Sequence, residues 1–188
     1  CSTPRWGQVH CIRPAHFVFD TCNAISVFAE RHGLNRDFFA RLIWQESRFD
    51  PNALSHADAR GSAQFIPSTA ALRGLADPYN PADALEHSAQ YLAEMVGRYG
   101  NEGLAAIGYN GGERRAEGFL QGKGLASETY AYVPIITGLE ADVWRDNPPD
   151  DPDFRLSKTL DFLPACYEMG RDRRLTPLRR AAPPVQPW

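Results

Sequence analysis

The sequence predicts one mainly α-helical domain, and three observations support this fold class. Apolar residues recur at helical spacing in several separate stretches of the chain. Capping residues such as Asn, Pro and Ser precede these stretches, and Gly ends most of them. The connections between them are short, which favours helices packed on one another. A length of 188 residues with 43% hydrophobic residues is enough for one domain with its own core.

The first predicted helix follows an irregular segment, residues 1–19, which is rich in Pro and Gly. Thr21 or Asn23 is expected to cap this helix, which then runs through about His32. Gly33 follows directly and is expected to end it.

The second predicted helix, capped by Asn35, carries an acidic residue at an apolar position. Glu46 shares a helix face with three apolar residues at the spacing i, i+3, i+4 and i+7, namely Phe39, Leu42 and Ile43. It also lies near the end of the helix, where the helix dipole disfavours negative charge. Burial and the dipole both favour the protonated carboxyl, which a general acid requires. The alternative is a carboxylate at the edge of this face that pairs with Arg48 or caps the next turn.

A polar, turn-rich stretch, residues 50–64, separates this helix from the remaining ones and is predicted to form a small β-ribbon or a loop. Further helices are predicted over residues 67–73, 80–100, 102–109 and 127–139, and one more over 157–167. We therefore expect an irregular Cys-containing segment over 1–20, the helical domain over 21–145, and a Pro-rich extension over 146–188. The extension is expected to pack on the domain or to trail from it.

The composition argues against several classes of protein. A formal net charge of −3 provides no global attraction for nucleic acid. No apolar run approaches the roughly 20 residues of a membrane span. The chain starts at Cys1, without Met and without a signal peptide, which is typical of a mature or trimmed product.

The cysteines indicate an oxidising environment. There are four of them, at Cys1, Cys11, Cys22 and Cys166. Their even number, outside the stretch around Glu46, favours two structural disulfides, with three pairings open. Disulfides would indicate the periplasm or the cell exterior. The absence of a CxxC spacing argues against a zinc site. The alternatives are four free thiols in a cytosolic protein, or a lipid-anchored Cys1.

Four short strings occur in order along the chain. They are Glu46-Ser47 with Pro51 and Ser55, the run GSAQFIPSTA over 61–70, the run GYNGG over 108–112, and Glu128-Thr129 with Tyr132-Val133. Their order and spacing, over roughly residues 21–139, resemble the catalytic domain of soluble lytic transglycosylases. These goose-type-lysozyme-like enzymes cleave bacterial peptidoglycan, and the chain looks closest to their small, single-domain members. The resemblance implies a lysozyme-like α-helical fold, with the small loop or β-ribbon beside the active-site cleft.

Two strings depart from the family pattern. The second string usually reads G-L-M-Q, and here residues 61–64 read GSAQ. The third usually reads A-Y-N-A-G, and here residues 108–112 read GYNGG. We expect these changes to affect the packing of the sugar subsites rather than the chemistry.

The resemblance also implies a role for individual residues. Glu46 is implied to be the catalytic acid and then the base. The implied substrate-binding residues are Ser55 near the reacting sugar, Gln64, Tyr109 and Asn110 along the saccharide cleft, and Tyr132, which reaches toward the catalytic carboxyl. No metal or cofactor is implied.

The acidic residues bear on the mechanism. Glycosidases commonly use two carboxylates. Asp50 and Asp58 are the nearest to Glu46 in the strings, and both lie in turn contexts where Asp commonly caps. A single-carboxylate site fits substrate assistance. In the chemistry that the family implies, the N-acetyl group of the muramyl sugar supports the cationic centre, and its C6 hydroxyl closes a 1,6-anhydro ring.

The predicted function is therefore a peptidoglycan lytic transglycosylase that cleaves the MurNAc–GlcNAc β-1,4 bond. The alternatives are a hydrolytic goose-type lysozyme and a catalytically idle glycan-binding module. The expected partner is the glycan strand of peptidoglycan, with an envelope-spanning secretion or assembly machine as a further candidate. We expect no nucleic acid, no membrane span, a monomer, and a periplasmic or exported location in the cell envelope.

Overall fold

The computed structural model describes residues 1–171, and helices dominate this range. A short 3₁₀ turn (Pro14–His16) leads into α1 (Phe17–His32), followed by α2 (Arg36–Ser47), α3 (Pro67–Arg73), α4 (Pro81–Tyr99), α5 (Glu102–Gly111), α6 (Glu113–Leu120), α7 (Ser127–Thr137), α8 (Ala141–Asp146) and α9 (Phe162–Arg171). Between α2 and α3 the chain forms a small ribbon, residues 53–65, with antiparallel bridges Leu54–Arg60 and Arg60–Phe65. The predicted mainly α fold is confirmed.

The α2 helix has the Asn35 cap and the buried apolar face that its sequence predicts. The Asn35 side-chain oxygen accepts hydrogen bonds from the backbone N–H groups of Asp37 and Phe38, both at 3.0 Å. The apolar residues that share a face with Glu46 are fully buried. The helix ends directly after this face, because Arg48 and Phe49 adopt left-handed φ angles of 55° and 60°. This turn directs the chain into the ribbon and leaves Glu46 in the last helical turn.

The α5 helix occupies the centre of the fold. It packs against α4, α6, α7 and α8, and α1 packs against α2, α4 and α9. The buried residues of α5 are mostly small: Gly103, Leu104, Ala105, Ala106, Ile107 and Gly108. Small side chains let several helices approach one helix closely, so that the C-terminal end of α5 is held firmly where the cleft forms.

The α1 helix begins earlier than predicted. It starts at Phe17, so Thr21 lies inside the helix, and the Asn23 amide donates to the carbonyl of Phe19 rather than capping. The Asp20 carboxylate accepts hydrogen bonds from the backbone N–H of Arg13 at 2.9 Å and from its guanidinium at 2.8 Å. The bond with this guanidinium lowers the pKa of Asp20 to about 2. This ion pair joins the preceding 3₁₀ turn to the helix and favours the early start.

Three other elements also differ from the prediction. The α6 and α8 helices have only 8 and 6 residues and begin without a side-chain cap, so the sequence carries little signal for them. The last helix covers Phe162–Arg171 rather than 157–167. Ser157 instead forms a turn, in which its hydroxyl oxygen accepts hydrogen bonds from the backbone N–H groups of Thr159 and Leu160.

Two disulfides confirm the expectation from the cysteine count, and they select one of the three possible pairings. Cys1 pairs with Cys11, and Cys22 in α1 pairs with Cys166 in α9. The second bridge fastens α9, which belongs to the predicted extension, to the helical core. Residues 172–188 of that extension lie outside the described residues. Within residues 1–171, none of the helices combines the length and apolar character that a membrane span requires.

Candidate active site

A cleft of about 500 Å³ lies between the end of α2, the ribbon, the end of α5 and the start of α7. This volume falls in the usual range for ligand sites. The residues singled out from the sequence all line it: Glu46, Ser55, Gln64, Tyr109, Asn110 and Tyr132. They come from four separate stretches of the chain, which the packing of the helices brings to one place.

Glu46 lines this cleft from the last turn of α2. Its side chain is half-buried, and one carboxyl oxygen accepts a hydrogen bond from the hydroxyl of Tyr132. Burial raises the pKa of Glu46 from 4.5 to about 7, and the negative charge of Glu128 adds to the rise. The hydrogen bond from Tyr132 acts in the opposite direction, because it favours the ionised form. Near neutral pH the group is therefore present in both protonation states.

Tyr132 stays protonated and donates a hydrogen bond to this carboxyl. Its side chain is 6% exposed, and burial together with the nearby Glu46 raises its pKa well above 10. The hydroxyl therefore keeps its proton over the physiological pH range. Val133 and Ile136 of the same helix are fully buried, and they fix α7 against the core.

Ser55 and Gln64 both shape the ribbon and face the cleft. The Ser55 hydroxyl oxygen accepts hydrogen bonds from the backbone N–H groups of Ala57 at 3.2 Å and Ala59 at 3.0 Å. The Ser55 O–H group donates to no acceptor among the described residues, so it can donate a hydrogen bond to a ligand. The Gln64 side-chain NH₂ group donates to the carbonyls of Gly61 at 3.0 Å and Ala53 at 3.4 Å. Its amide oxygen is therefore the atom that it offers to a ligand.

Gly61 sets the position of the ribbon. Its φ angle is +71°, and a Cβ atom at this position would lie 1.9 Å from the carbonyl oxygen of Pro78. Only glycine fits this close approach of two backbone segments. The retained glycine of the second string thus has a structural reason, and it places Gln64 at the cleft.

The side chains of Tyr109 and Asn110 are each bonded to a neighbouring residue. The Tyr109 hydroxyl donates to the carbonyl of Ala63 at 2.7 Å and accepts from the hydroxyl of Ser88 at 2.8 Å. It therefore connects the ribbon to α4 and presents its ring, rather than its hydroxyl, to the cleft. The Asn110 side-chain oxygen accepts a hydrogen bond from the hydroxyl of Thr129 at 2.9 Å.

An aromatic wall was not predicted from the sequence. The rings of Phe65 and Tyr91 have centroids 6.4 Å apart, and those of Tyr91 and Tyr109 are 5.9 Å apart. All three residues line the cleft, together with Gln45, Ile66 and Thr69. Nothing in the spacing of Tyr91 along α4 distinguishes a cleft-lining ring from a core ring. Phe65 is buried at the back of this wall, and the partly exposed rings of Tyr91 and Tyr109 offer an apolar surface to a sugar ring.

Glu128 is a second carboxylate at the cleft, which sequence reasoning did not single out. It lies exposed in the first turn of α7 and makes no hydrogen bond or ion pair within the part of the chain that the structure describes. The two candidates weighed from the sequence are engaged elsewhere. Asp50 accepts from the backbone N–H of Asn52 at 2.9 Å, and Asp58 pairs with Arg60 at 2.9 Å. The signal for Glu128 was its place in the fourth string, beside Thr129.

Residues 1–171 contain no cluster of three or more His, Cys, Asp or Glu side chains that could hold a metal ion. The cleft instead offers a protonatable carboxyl, hydrogen-bonding groups and an aromatic wall. This combination can transfer a proton to a bound polar polymer and take one back.

Comparison with protein families identifies the domain. The family described as "Transglycosylase SLT domain" matches residues 23–128, which is more than half of the chain. The chain belongs to this family. The resemblance predicted from the four strings is thereby confirmed. The SLT match contains the ribbon and the end of α5 and finishes at Glu128, just before Tyr132.

Named relatives of this SLT domain come from phages and bacteria. "Peptidoglycan transglycosylase gp16" of Escherichia phage T7 is 38% identical over 95 residues, which cover 46% of this chain and 7% of the relative. "Transglycosylase" of Enterobacteria phage PRD1 is 25% identical over 114 residues, covering 61% and 43%. "Putative soluble lytic murein transglycosylase" of Haemophilus influenzae is 32% identical over 115 residues, covering 54% and 19%. The chain thus spans less than half the length of each of these relatives.

Proposed function

We propose that this SLT domain is a peptidoglycan lytic transglycosylase in which Glu46 acts first as acid and then as base. The bond cleaved is the β-1,4 bond between MurNAc and GlcNAc, and the product carries a 1,6-anhydro-MurNAc end. The observation that carries this proposal is the pKa of about 7 for Glu46 inside the cleft. A carboxyl with this pKa gives up a proton and regains it readily near neutral pH. The substrate class is supported by the names of the relatives, which refer to peptidoglycan or murein.

In the first step, protonated Glu46 gives its proton to the glycosidic oxygen. The bond between this oxygen and C1 of MurNAc breaks, and the GlcNAc side leaves as an alcohol. The acetamido oxygen of MurNAc bonds to C1 and takes up the positive charge. The hydroxyl of Tyr132 stabilises the carboxylate that Glu46 has become, because it donates a hydrogen bond to it.

In the second step, the Glu46 carboxylate takes the proton from the C6 hydroxyl of the same MurNAc. The C6 oxygen attacks C1, and the bond from C1 to the acetamido oxygen breaks. The 1,6-anhydro ring closes and Glu46 is protonated again, so no water is consumed. The nucleophile belongs to the substrate, and its proximity replaces a positioned water or a second carboxylate.

The cleft offers several contacts to the strand. The proton of Ser55 and the amide oxygen of Gln64 are both left over after their bonds within the ribbon, so together they can bind one acceptor and one donor. In the aromatic wall, Tyr91 and Tyr109 offer packing to a sugar face, and Phe65 supports them from behind.

A hydrolytic lysozyme reaction is the second candidate, and one observation favours it. Glu128 lines the cleft without a partner among the described residues, and a free carboxylate can activate a water. Hydrolysis would leave a reducing MurNAc end in place of the anhydro ring.

We also propose that the domain works in the periplasm or outside the cell. The two disulfides support this location, because such bonds persist in oxidising compartments. We infer that it acts as a monomer on glycan strands, with an envelope-spanning secretion or assembly machine as a further candidate partner.

Product analysis on purified sacculi tests the reaction. Wild-type protein should release muropeptides with anhydro ends, identified by mass spectrometry, and Glu46→Gln should release none. Glu30→Gln provides a matched control, because Glu30 is an exposed carboxylate in α1. Reducing ends would favour hydrolysis, binding without turnover by the wild type would favour an idle module, and full lysis by Glu46→Gln would refute the role of Glu46.

A further inference from the structure

A buried hydroxyl behind the cleft holds one of the cleft amides in a single orientation. Thr129 is 1% exposed and lies in the first turn of α7, beneath the end of α5. Its hydroxyl donates a hydrogen bond to the side-chain oxygen of Asn110 at 2.9 Å. We propose that Thr129 is a positioning residue, which turns the NH₂ group of Asn110 toward the substrate. This proposal rests on the proposed function and adds a specificity determinant to the same site.

The alternative orientation of the amide is unfavourable. If the Asn110 side chain were reversed, its NH₂ group would donate to the Thr129 oxygen and the Thr129 proton would lose its acceptor. Within residues 1–171 this hydroxyl has no other hydrogen-bond partner, and a buried donor without an acceptor is costly. The observed arrangement therefore satisfies both groups and leaves the NH₂ group as the free end of the amide.

Local packing leaves Thr129 little room to move. A Cβ atom added to Gly111 would lie 3.2 Å from the Thr129 hydroxyl oxygen, so the start of α7 lies directly against the end of α5. Asn110 is half-exposed and lines the cleft, and its NH₂ group makes no hydrogen bond within the described part of the chain. The donor is thus both fixed in direction and available.

The two cleft amides consequently offer opposite chemistry. Gln64 uses its NH₂ group within the ribbon and offers an oxygen, whereas Asn110 uses its oxygen on Thr129 and offers an NH₂ group. The acceptor that Asn110 binds is an oxygen of the glycan, such as an acetamido carbonyl or a sugar hydroxyl. Loss of the Thr129 hydroxyl frees the amide to turn, so that the site no longer presents a donor in every molecule.

A double-mutant cycle tests the proposal with soluble, un-cross-linked glycan strands as substrate. Thr129→Val keeps the shape of the side chain and removes the hydroxyl, and Thr129→Ser keeps the hydroxyl. We expect Thr129→Val to raise KM by about 3- to 10-fold with a smaller change in kcat, as is typical for one neutral hydrogen bond. Thr129→Ser should restore KM to within about twofold of wild type. Thr129→Val should have no further effect in an Asn110→Ala background.

Three results would overturn the proposal. The first is an unchanged KM for Thr129→Val. The second is that Thr129→Val raises KM in the Asn110→Ala background by as much as it does in wild type. The third is that Thr129→Ser raises KM as much as Thr129→Val does. Thr129→Ala is measured in parallel, and thermal unfolding is recorded for every variant, so that a folding defect is separated from a binding defect. If the wild type binds the strands without cleaving them, the proposed function fails. The same cycle on Kd, measured by calorimetry, then still tests the role of Thr129.

Discussion

The raised pKa of Glu46 makes a prediction about stability that does not depend on any substrate. The folded-state pKa of about 7 lies above the ordinary value of 4.5. The folded protein therefore binds more protons than the unfolded chain between these pH values, and its stability falls as the pH rises through this window. A shift of 2.5 units at about 1.36 kcal/mol per unit gives about 3.4 kcal/mol, which solvent screening of a half-buried group reduces to about 2–3 kcal/mol.

Glu46→Gln removes the ionisation and keeps an oxygen for the hydrogen bond from Tyr132. We therefore expect the variant to match wild type at about pH 3.5, below the window, and to be more stable by about 2–3 kcal/mol near pH 8, above it. For a protein of this size the gain near pH 8 corresponds to a Tm increase of about 4–12 °C.

Urea unfolding monitored by circular dichroism across this pH range measures the difference. Glu30→Gln serves as the control, because it removes an exposed carboxylate that lies in α1, outside the cleft. Parallel pH profiles for wild type and Glu46→Gln would refute the reasoning, since they would mean that the carboxyl ionises as easily in the folded protein as in the unfolded chain.

Three further predictions concern the same site and the disulfide framework. Tyr132→Phe removes the hydrogen bond that favours the ionised form of Glu46. The alkaline limb of kcat/KM against pH should therefore move up from about pH 7, and a shift to lower pH would contradict this. Glu128→Gln removes a repelling charge and should move the same limb down, and an unchanged limb would show that Glu128 does not act on the carboxyl. Replacing Cys22 and Cys166 together with alanine opens a link between residues 144 apart and should cost about 4–5 kcal/mol in urea unfolding, whereas a loss below about 1 kcal/mol would refute the stabilising role of the bridge.

The helices with strong local signals were predictable from the sequence. The α2 and α4 helices begin at Asn35 and Asn80, whose side chains accept hydrogen bonds from the first turn, as capping predicts. The predicted start of α1 was wrong. The observed start depends on the ion pair between Arg13 and Asp20, and helix propensities do not include such a contact. The α6 and α8 helices are held by packing against α5 rather than by caps of their own.

For the candidate site too, some features could be predicted from the sequence and others could not. Most of the positions that line the cleft could be named from the four strings, because those strings keep their spacing and their family resemblance, but Gln45 and Tyr91 lie outside them. The orientation of the side chains could not be predicted. Whether Gln64 offers an oxygen and Asn110 an NH₂ group depends on partners that come from other segments, such as the carbonyl of Gly61 and the hydroxyl of Thr129.

The sequence by itself determined the helical fold class, the family and the carboxyl around which the cleft forms. Capping, periodicity and motif order are local properties, and each can be read along the chain. The tertiary structure alone decided the pairing of the cysteines, the aromatic wall, the place of Glu128 beside the cleft and the pKa of Glu46. These features depend on burial and on contacts between segments that are distant in the sequence. Such contacts form only once the helices have packed.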